Sequence, residues 1–289
     1  MEEFLNGLRR ARAEYARKKT IGERFIVPRE GEEGVDVLLY RPKINVNETL
    51  PVLFNLHGGA WIGGDAVLME SFCQKIADET PAMVVNVNYK KLDEKPFPYP
   101  QNELCDAVAY FAAHAEEYGV DPRRFVIGGH SAGAHIAAGA AILLRERRFP
   151  LAGQMLVYPV TDLTTRADAE VDDLLVRLAP LFPPKDELAK PVYSPLRGTR
   201  DELRGLAPAL IVLCGKDELR PQGEAYAKAL IDAQVPVTVQ PYPEALHGFL
   251  EVNRPDYDPN DPRRTPEQES MCRHCEGVII RWLRAECLR

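Results

Sequence analysis

The chain has 289 residues, 45% of them hydrophobic, which is enough to bury the core of one large domain. Its formal net charge of −7 gives an overall field that does not attract nucleic acid or an anionic membrane surface, so we expect neither as a partner. The six cysteines are scattered along the chain, so we expect no disulfide framework. The sequence shows neither a signal-peptide pattern at the N-terminus nor a long apolar run, so we expect a cytoplasmic protein.

The first half of the chain opens with an amphipathic helical pattern over Glu3–Lys18. Two apolar runs without a helix between them then suggest an antiparallel hairpin, and later runs alternate with helices. Such alternation is typical of a mostly parallel sheet with helices on both faces. The predicted strands of this half are Arg24–Val27, Val35–Arg41, Val52–Leu56, Met83–Tyr89 and Arg124–Gly128, with one helix before Met83 and another at Gln101–Tyr118.

The second half continues the alternation with one long interruption. Residues 161–206 separate two core strands by far more than the usual connection and include a helical candidate, Val171–Leu181. Because this insertion follows the carboxyl end of a strand, we interpret it as a lid over a site within a single domain covering residues 1–289. The predicted strands here are Gly153–Tyr158, Ala209–Cys214 and Val237–Tyr242, and the helices are Ala132–Arg145, Gln222–Ala233 and Pro266–Leu288.

The strongest motif is Gly-His-Ser-Ala-Gly over residues 129–133, in a chain that has only four serines. It lies between a β-rich run and an alanine-rich helix, as a nucleophile elbow requires. The sharp strand-to-helix turn strains the serine backbone, so the flanking residues must be very small. We therefore predict Ser131 as a nucleophile, with the amide of Ala132 at the helix N-terminus aimed at a developing negative charge.

A serine nucleophile needs a base, and His247 is the best placed of the six histidines. It follows the last predicted strand, on a loop at the carboxyl edge of the sheet. Of the other five, His114 and His135 lie inside predicted helices and suit packing or surface roles, and His130 is expected to point away from the elbow. His274 lies on the terminal helix, and His57 belongs to the His-Gly-Gly stretch after a strand.

The acid of the triad should lie between these two residues, because enzymes with a nucleophile elbow follow the chain order serine, acid, histidine. Asp217 is the third residue after strand Ala209–Cys214, at the same edge of the sheet. It would fix the imidazole tautomer and stabilise the imidazolium. Glu218 is the second candidate, and Asp232 is a third, inside a helix.

The second anchor is His-Gly-Gly-Ala-Trp over residues 57–61, directly after a strand. Consecutive small residues let backbone amides face a substrate oxygen without a side chain in the way. We predict an oxyanion hole of Gly58, Gly59, Ala60 and Ala132, in which Gly59 and Ala60 donate, Gly58 shapes the turn and Ala132 completes the hole.

Cys272 and Cys275 have the spacing of half a zinc knuckle, but a second pair of ligands is missing from the sequence. We therefore predict thiols on a C-terminal helix and no metal site. The chemistry proposed for the triad needs no organic cofactor either.

The motifs resemble those of the hormone-sensitive-lipase-like branch of the α/β-hydrolases, a family of carboxylesterases. The stretch HGGAW matches HGGGW of that branch, and GHSAG matches its GDSAG elbow. The similarity covers residues from about 50 to 250. It implies the α/β-hydrolase fold with a small helical cap, which we assign to residues 1–20 and 161–206. Further matching positions are Asn88-Tyr89, Phe97-Pro98, Asp121-Pro122, Tyr158-Pro159, Asp162, Ser194-Pro195-Leu196 and His247-Gly248-Phe249.

The sequence departs from that family at three positions. Ala60 replaces the third glycine but keeps its amide. His130 stands where the family has aspartate before the nucleophile. Pro221 replaces a second acidic residue after Asp217, which removes one support of that loop.

These observations lead to one main hypothesis and two alternatives. The main one is a carboxylesterase that hydrolyses small, short-acyl esters, acetylated sugars among them, through an acyl-enzyme. The second is an amidase or aryl-formamidase that uses the same triad, and the third is a non-catalytic ligand receptor. The edge strands and the terminal helix could also support a homodimer.

Overall fold

The computed structural model describes residues 2–44, 48–164, 174–254 and 257–286. Its strands are β1 (Glu23–Val27), β2 (Val35–Tyr40), β3 (Leu50–Leu56), β4 (Met83–Val87), β5 (Val120–His130), β6 (Gly153–Val157), β7 (Ala209–Lys216) and β8 (Val237–Leu246). Its helices are α1 (Glu2–Tyr15), α2 (Glu70–Glu79), α3 (Tyr99–Ala113), α4 (Ala115–Tyr118), α5 (Ala132–Glu146), α6 (Leu174–Leu178), α7 (Arg200–Leu203), α8 (Arg220–Asp232) and α9 (Pro266–Glu286). Short 3₁₀ turns lie at Ala66–Met69, Ala179–Leu181 and Pro195–Arg197.

The strands of the described chain form one eight-stranded sheet in the order β1-β2-β4-β3-β5-β6-β7-β8. Strand β2 pairs antiparallel with both β1 and β4, and every pairing from β4 to β8 is parallel. The predicted leading hairpin and mostly parallel sheet are therefore confirmed. Parallel order places the carboxyl ends of β3, β5, β7 and β8 at one edge, where the candidate site residues follow them.

Helices cover both faces of the sheet because successive strand residues point to opposite sides. In β3, Val52 and Phe54 join the core under α3, α5 and α8, whereas Leu53 joins the core under α2 and α9. Helix α5 is rich in alanine, so it packs closely behind the elbow, and twelve of its residues are buried.

Most predicted elements are confirmed, with ends that shift by a few residues. One prediction is wrong: the single helix Gln101–Tyr118 is two helices, α3 and α4, separated at His114. Helix Pro266–Leu288 corresponds to α9, and its last residues lie outside the described chain. No described helix is long and apolar enough to cross a membrane.

The two segments that the sequence assigned to a cap are described in part. Residues Glu2–Tyr15 form α1, and the helical candidate Val171–Leu181 gives α6 followed by a 3₁₀ turn. Residues 165–173 of the insertion lie outside the described residues. Phe4, Leu8 and Tyr15 of α1 and Leu174 of α6 line the same cavity as the candidate site.

Candidate active site

Ser131 lies in the tight turn between β5 and α5, with φ 53° and ψ −115°. This left-handed conformation is unusual for a residue with a side chain, and the surroundings hold it in place. The Ser131 amide donates to the Val157 carbonyl at 2.9 Å. A Cβ on Gly133 would lie 2.4 Å from the Leu56 carbonyl oxygen, so only glycine fits where α5 meets β3. The sequence expectation of a crowded, strained elbow is confirmed.

The structure brings Ser131, His247 and Asp217 together in one hydrogen-bonded line. His247 Nε2 lies 2.8 Å from Ser131 Oγ, and His247 Nδ1 lies 2.7 Å from Asp217 Oδ2. The carboxylate accepts, so Nδ1 carries the proton and Nε2 is left to accept from the serine hydroxyl. The Asp217 side chain is 5% exposed and that of His247 is 36% exposed. The imidazole therefore faces the cavity while the acid lies beneath it.

The loop after β7 holds Asp217 in place through its other oxygen. Oδ1 accepts the Leu219 amide at 2.9 Å, so both carboxylate oxygens are engaged. This backbone contact supports the loop where Pro221 removes the acidic residue found in the family. Asp232, the third candidate, is paired with Lys228 on α8 at 2.5 Å.

The loop after β3 presents backbone amides to the same cavity. The Gly59 carbonyl accepts the amides of Ile62 at 3.2 Å and Gly63 at 2.8 Å, which closes a tight turn. Ala60 and Trp61 have φ values of 51° and 62°. Among the described residues, no protein acceptor faces the amides of Gly59, Ala60 or Ala132, and all three residues line the cavity. These three donors can therefore meet a substrate oxygen.

Gly58 does not donate to that position, which corrects its place in the predicted oxyanion hole. Its amide donates to Glu251 Oε2 at 3.2 Å. A Cβ at Gly58 would lie 2.5 Å from the same oxygen, so a larger residue here would displace the carboxylate or the loop. Gly58 shapes the turn, as the sequence also indicated, and supplies no free amide.

Glu251 was missed by the sequence analysis. Its Oε1 accepts from the Tyr158 hydroxyl at 3.2 Å, and burial raises the pKa of its carboxyl. The Tyr158 ring in turn packs 4.9 Å from that of His247. Glu251 thus links residues 57–64 after β3, hereafter the glycine loop, to the surroundings of the candidate base. Its position four residues after His247 carries no recognisable motif.

Helix α1 contacts the loop after β3 directly. Arg12 of α1 donates to the Ile62 carbonyl at 2.5 Å and pairs with Asp93 at 2.7 Å. Asp93 is 1% exposed at its side chain, and the two arginines beside it, Arg12 and Arg9, oppose the effect of burial and leave its pKa lowered. Helix α1 is therefore fixed to the loop that carries the free amides.

His135, expected from the sequence to have a packing or surface role, is buried and links the loop after β3 to the insertion. Its Nδ1 accepts from the Trp61 indole at 3.1 Å, and its Nε2 donates to the Tyr193 carbonyl at 2.7 Å. Phe182 also packs edge-on against Trp61, with ring centroids 5.5 Å apart. Burial lowers the pKa of His135 to about 4, so this imidazole is neutral at pH 7. The insertion is thereby connected to Trp61 of this loop.

The cavity around these groups has a volume of about 1010 Å³. Its apolar wall includes Phe4, Leu8, Leu68, Val160 and Leu219. Within the described chain, no group of three or more histidine, cysteine or acidic side chains has the arrangement of a metal site. Cys272 and Cys275 are buried free thiols on α9.

A serine, a histidine and an aspartate in a hydrogen-bonded line, beside unpaired amides at the carboxyl edge of a parallel sheet, define the class of serine hydrolases. The family model described as alpha/beta hydrolase fold matches residues 53–251, and the chain belongs to this family. The recognised hormone-sensitive-lipase-like branch and the predicted α/β-hydrolase fold are confirmed.

Relatives and solved structures agree with this assignment. The chain is 30% identical over 263 residues to a putative alpha/beta hydrolase of Acanthamoeba polyphaga mimivirus, covering 87% of this chain and 75% of the relative. It is 31% identical over 233 residues to the carboxylesterase NlhH of Mycobacterium tuberculosis, covering 76% and 73%. A fungal esterase structure from Rhizomucor miehei superposes with a TM-score of 0.82 at 25% identity, covering 98% of this chain and 91% of the other.

Proposed function

We propose that this protein is a serine carboxylesterase that hydrolyses small, short-acyl esters through an acyl-enzyme. One observation carries the proposal: Ser131 Oγ, His247 and Asp217 form an unbroken line of 2.8 and 2.7 Å contacts beside three unpaired amides. Receptors on this fold need no such line, so the arrangement favours catalysis over ligand sensing. The names of the esterase relatives support the ester as the substrate class.

In the first half-reaction, Ser131 Oγ attacks the ester carbonyl carbon while His247 Nε2 takes the hydroxyl proton. The carbonyl oxygen becomes negatively charged and accepts from the amides of Gly59, Ala60 and Ala132. Asp217 stabilises the imidazolium through Nδ1. The imidazolium then returns its proton to the alkoxy oxygen, the bond from this oxygen to the carbonyl carbon breaks, and the alcohol leaves.

In the second half-reaction, a water molecule replaces the alcohol. His247 Nε2 takes a proton from the water as its oxygen attacks the acyl carbon, and the same amides hold the new oxyanion. Collapse breaks the bond to Ser131 Oγ, which recovers its proton from the imidazolium. The products are the carboxylic acid and the free serine, and no cofactor takes part in either step.

The short-acyl preference, with acetylated sugars as one substrate group, rests on the compact insertion and the family resemblance. The cavity of about 1010 Å³ also has room for a larger alcohol group. A series of esters with graded acyl length tests this preference.

The test is hydrolysis of 4-nitrophenyl esters with acyl chains of graded length, by the wild type and by Ser131→Ala. We expect the highest kcat/KM for acetate or butyrate and loss of activity in the variant. N-formyl aromatic amides belong in the same panel, because faster turnover of these would favour the aryl-formamidase alternative. If a fluorophosphonate fails to label Ser131 in folded protein, the catalytic proposal is wrong.

A further inference from the structure

Lys91, in the loop after β4, is a lysine buried behind the glycine loop, with 3% exposure. Its ammonium has three hydrogens and three acceptors: the Tyr89 carbonyl at 2.5 Å, Asn88 Oδ1 at 3.3 Å and His57 Nε2 at 3.1 Å. The ammonium also lies 4.1 Å from the centroid of the Tyr89 ring. Every donor of this buried cation is therefore used.

These contacts do not include an ion pair. Among the described residues, no carboxylate lies within salt-bridge distance of Lys91, and its three acceptors are neutral groups. Burial lowers the pKa of Lys91 to about 8, so the ammonium is still the main form at pH 7. Burial is the largest influence on this ammonium and outweighs the attraction of the more distant carboxylates of Asp65, Glu94 and Glu103. The direct contact with His57 points to a role for this lysine beyond stability.

The ammonium determines which nitrogen of His57 carries a proton. An ammonium only donates, so Nε2 must accept and the proton must be on Nδ1. Nδ1 lies 2.6 Å from the Gly58 carbonyl oxygen, to which it donates. Burial, and then the charge of Lys91, lower the pKa of His57 well below its usual value, so the ring stays neutral. Tyr89 stacks on the ring at 4.5 Å and donates to the His57 carbonyl at 3.1 Å.

The direction of the Gly58 carbonyl sets the direction of the next amide. In a planar trans peptide, the C=O of Gly58 and the N–H of Gly59 point in opposite directions. Holding the carbonyl against His57 therefore turns the Gly59 amide away from this ring, and Gly59 lines the cavity together with Ser131. With the other tautomer, Nδ1 and the carbonyl oxygen would be two acceptors facing each other, which would rotate this peptide.

We propose that Lys91 is a positioning residue that fixes the tautomer of His57 and thereby aims the Gly59 amide at the substrate oxyanion. This inference rests on the proposed esterase function of the same site. It assigns a chemical role to Lys91, whose side chain touches no substrate. Lys91 acts through two hydrogen bonds in series, from its ammonium to His57 Nε2 and from His57 Nδ1 to the Gly58 carbonyl.

The test compares Lys91→Met, which removes the donor at similar size, with Lys91→Gln, which keeps a neutral donor. Lys90→Met is the matched control, because Lys90 is the adjacent lysine, paired at the surface with Glu33 at 2.8 Å. We expect Lys91→Met to lower kcat on 4-nitrophenyl acetate about 10- to 100-fold, part of the typical effect of one lost oxyanion donor, with KM changed less than threefold. Lys91→Gln should recover most of this loss.

Two readouts separate positioning from a merely structural role. Thermal unfolding of Lys91→Met should remain cooperative and close to that of the wild type, because removal of the desolvated charge offsets the loss of its three hydrogen bonds. Nitrogen-15 NMR of histidine-labelled protein should show the Nδ1–H tautomer of His57 in the wild type and its loss in Lys91→Met. The NMR result does not depend on esterase activity, so an inactive wild type would refute the proposed function and leave the tautomer assignment open to its own measurement.

The proposal is overturned if Lys91→Met keeps kcat within twofold, or if its His57 tautomer is unchanged. It is also overturned if Lys91→Gln loses as much kcat as Lys91→Met, because a neutral donor would then have no effect. If Lys91→Met fails to fold, Lys91→Gln decides: its kcat and its His57 tautomer must both remain close to those of the wild type.

Discussion

Two loops of this molecule each begin with a histidine at the carboxyl end of a strand, and the two imidazoles have opposite surroundings. His247, after β8, is 36% exposed and lies between a carboxylate and a serine hydroxyl. His57, after β3, is 1% exposed and lies between an ammonium and a backbone carbonyl. One ring faces the cavity, and the other supports the loop that lines it.

The difference shows how surroundings assign a role to the same side chain. A carboxylate at Nδ1 stabilises the imidazolium, so His247 can take and return a proton. An ammonium at Nε2 and a desolvated position keep His57 neutral, so it serves as a fixed hydrogen-bond donor. We therefore assign proton transfer to the loop after β8 and oxyanion geometry to the loop after β3.

The largest expected effect is that of removing the candidate base. His247→Ala should lower kcat on 4-nitrophenyl acetate about 10⁴- to 10⁶-fold, because the serine loses its proton acceptor. The partly exposed side chain leaves no large buried cavity, so the unfolding temperature should change little. Steady-state kinetics and differential scanning calorimetry measure both effects. Substantial activity in this variant would show that another group is the base.

A smaller loss is expected when the acid becomes neutral. Asp217→Asn should lower kcat about 10²- to 10⁴-fold, since an amide can donate to Nδ1 and favour the wrong tautomer. The matched control is Glu218→Gln on the adjacent residue, which should keep kcat within about threefold of the wild type. Single-turnover kinetics of both variants make the comparison. Loss of activity in Glu218→Gln alone would mean that the wrong carboxylate has been assigned.

Local sequence patterns are sufficient to predict the order of strands and helices and the positions of the three triad residues. Alternating runs of β-branched residues identify the strands, and the small residues around Ser131 identify the elbow. Chain order then selects His247 and Asp217 from several candidates. Each step uses residues that are close in sequence or follow a strand end.

Two of the features that escaped prediction depend on contacts between residues that are distant in the chain. Gly58 and Glu251 are 193 residues apart, and only the packed sheet brings them together. Lys91 looks like any loop lysine until its three acceptors are seen. The break between α3 and α4 has no proline or glycine to signal it; it occurs at His114, whose Nδ1 donates to the Tyr110 carbonyl at 2.8 Å.

The glycine loop can be disturbed without touching any predicted donor. Gly58→Ala would place a Cβ 2.5 Å from Glu251 Oε2, so the loop or the buried carboxylate must move. We expect kcat to fall about 10-fold, since displaced amides meet the oxyanion poorly. Gly7→Ala on α1 is the control, because a Cβ there meets nothing within 4 Å.

A double-mutant cycle connects this loss to the carboxylate. Adding Glu251→Ala to Gly58→Ala should remove the clash, so the two changes should not be additive in kcat. Simple additivity would show that Gly58 acts independently of Glu251. In that case the link between the glycine loop and the loop after β8 would have no functional effect.

The smallest expected effect concerns stability and a third imidazole, His130, which is buried like His57. Burial lowers the pKa of His130 to about 3, and its Nε2 has no hydrogen-bond partner among the described residues. Between pH 3 and about 6.5 the unfolded chain binds a proton here that the folded chain does not, so the free energy of unfolding rises with pH. This contribution is fully present above pH 6.5 and is lost as the pH falls toward 3.

His130→Asn should therefore flatten the dependence of the free energy of unfolding on pH between 4.5 and 6 by about 1 kcal/mol per pH unit. Urea unfolding at several pH values measures this slope separately from any constant offset caused by the substitution, and an unchanged slope would show that His130 is not held neutral by the fold.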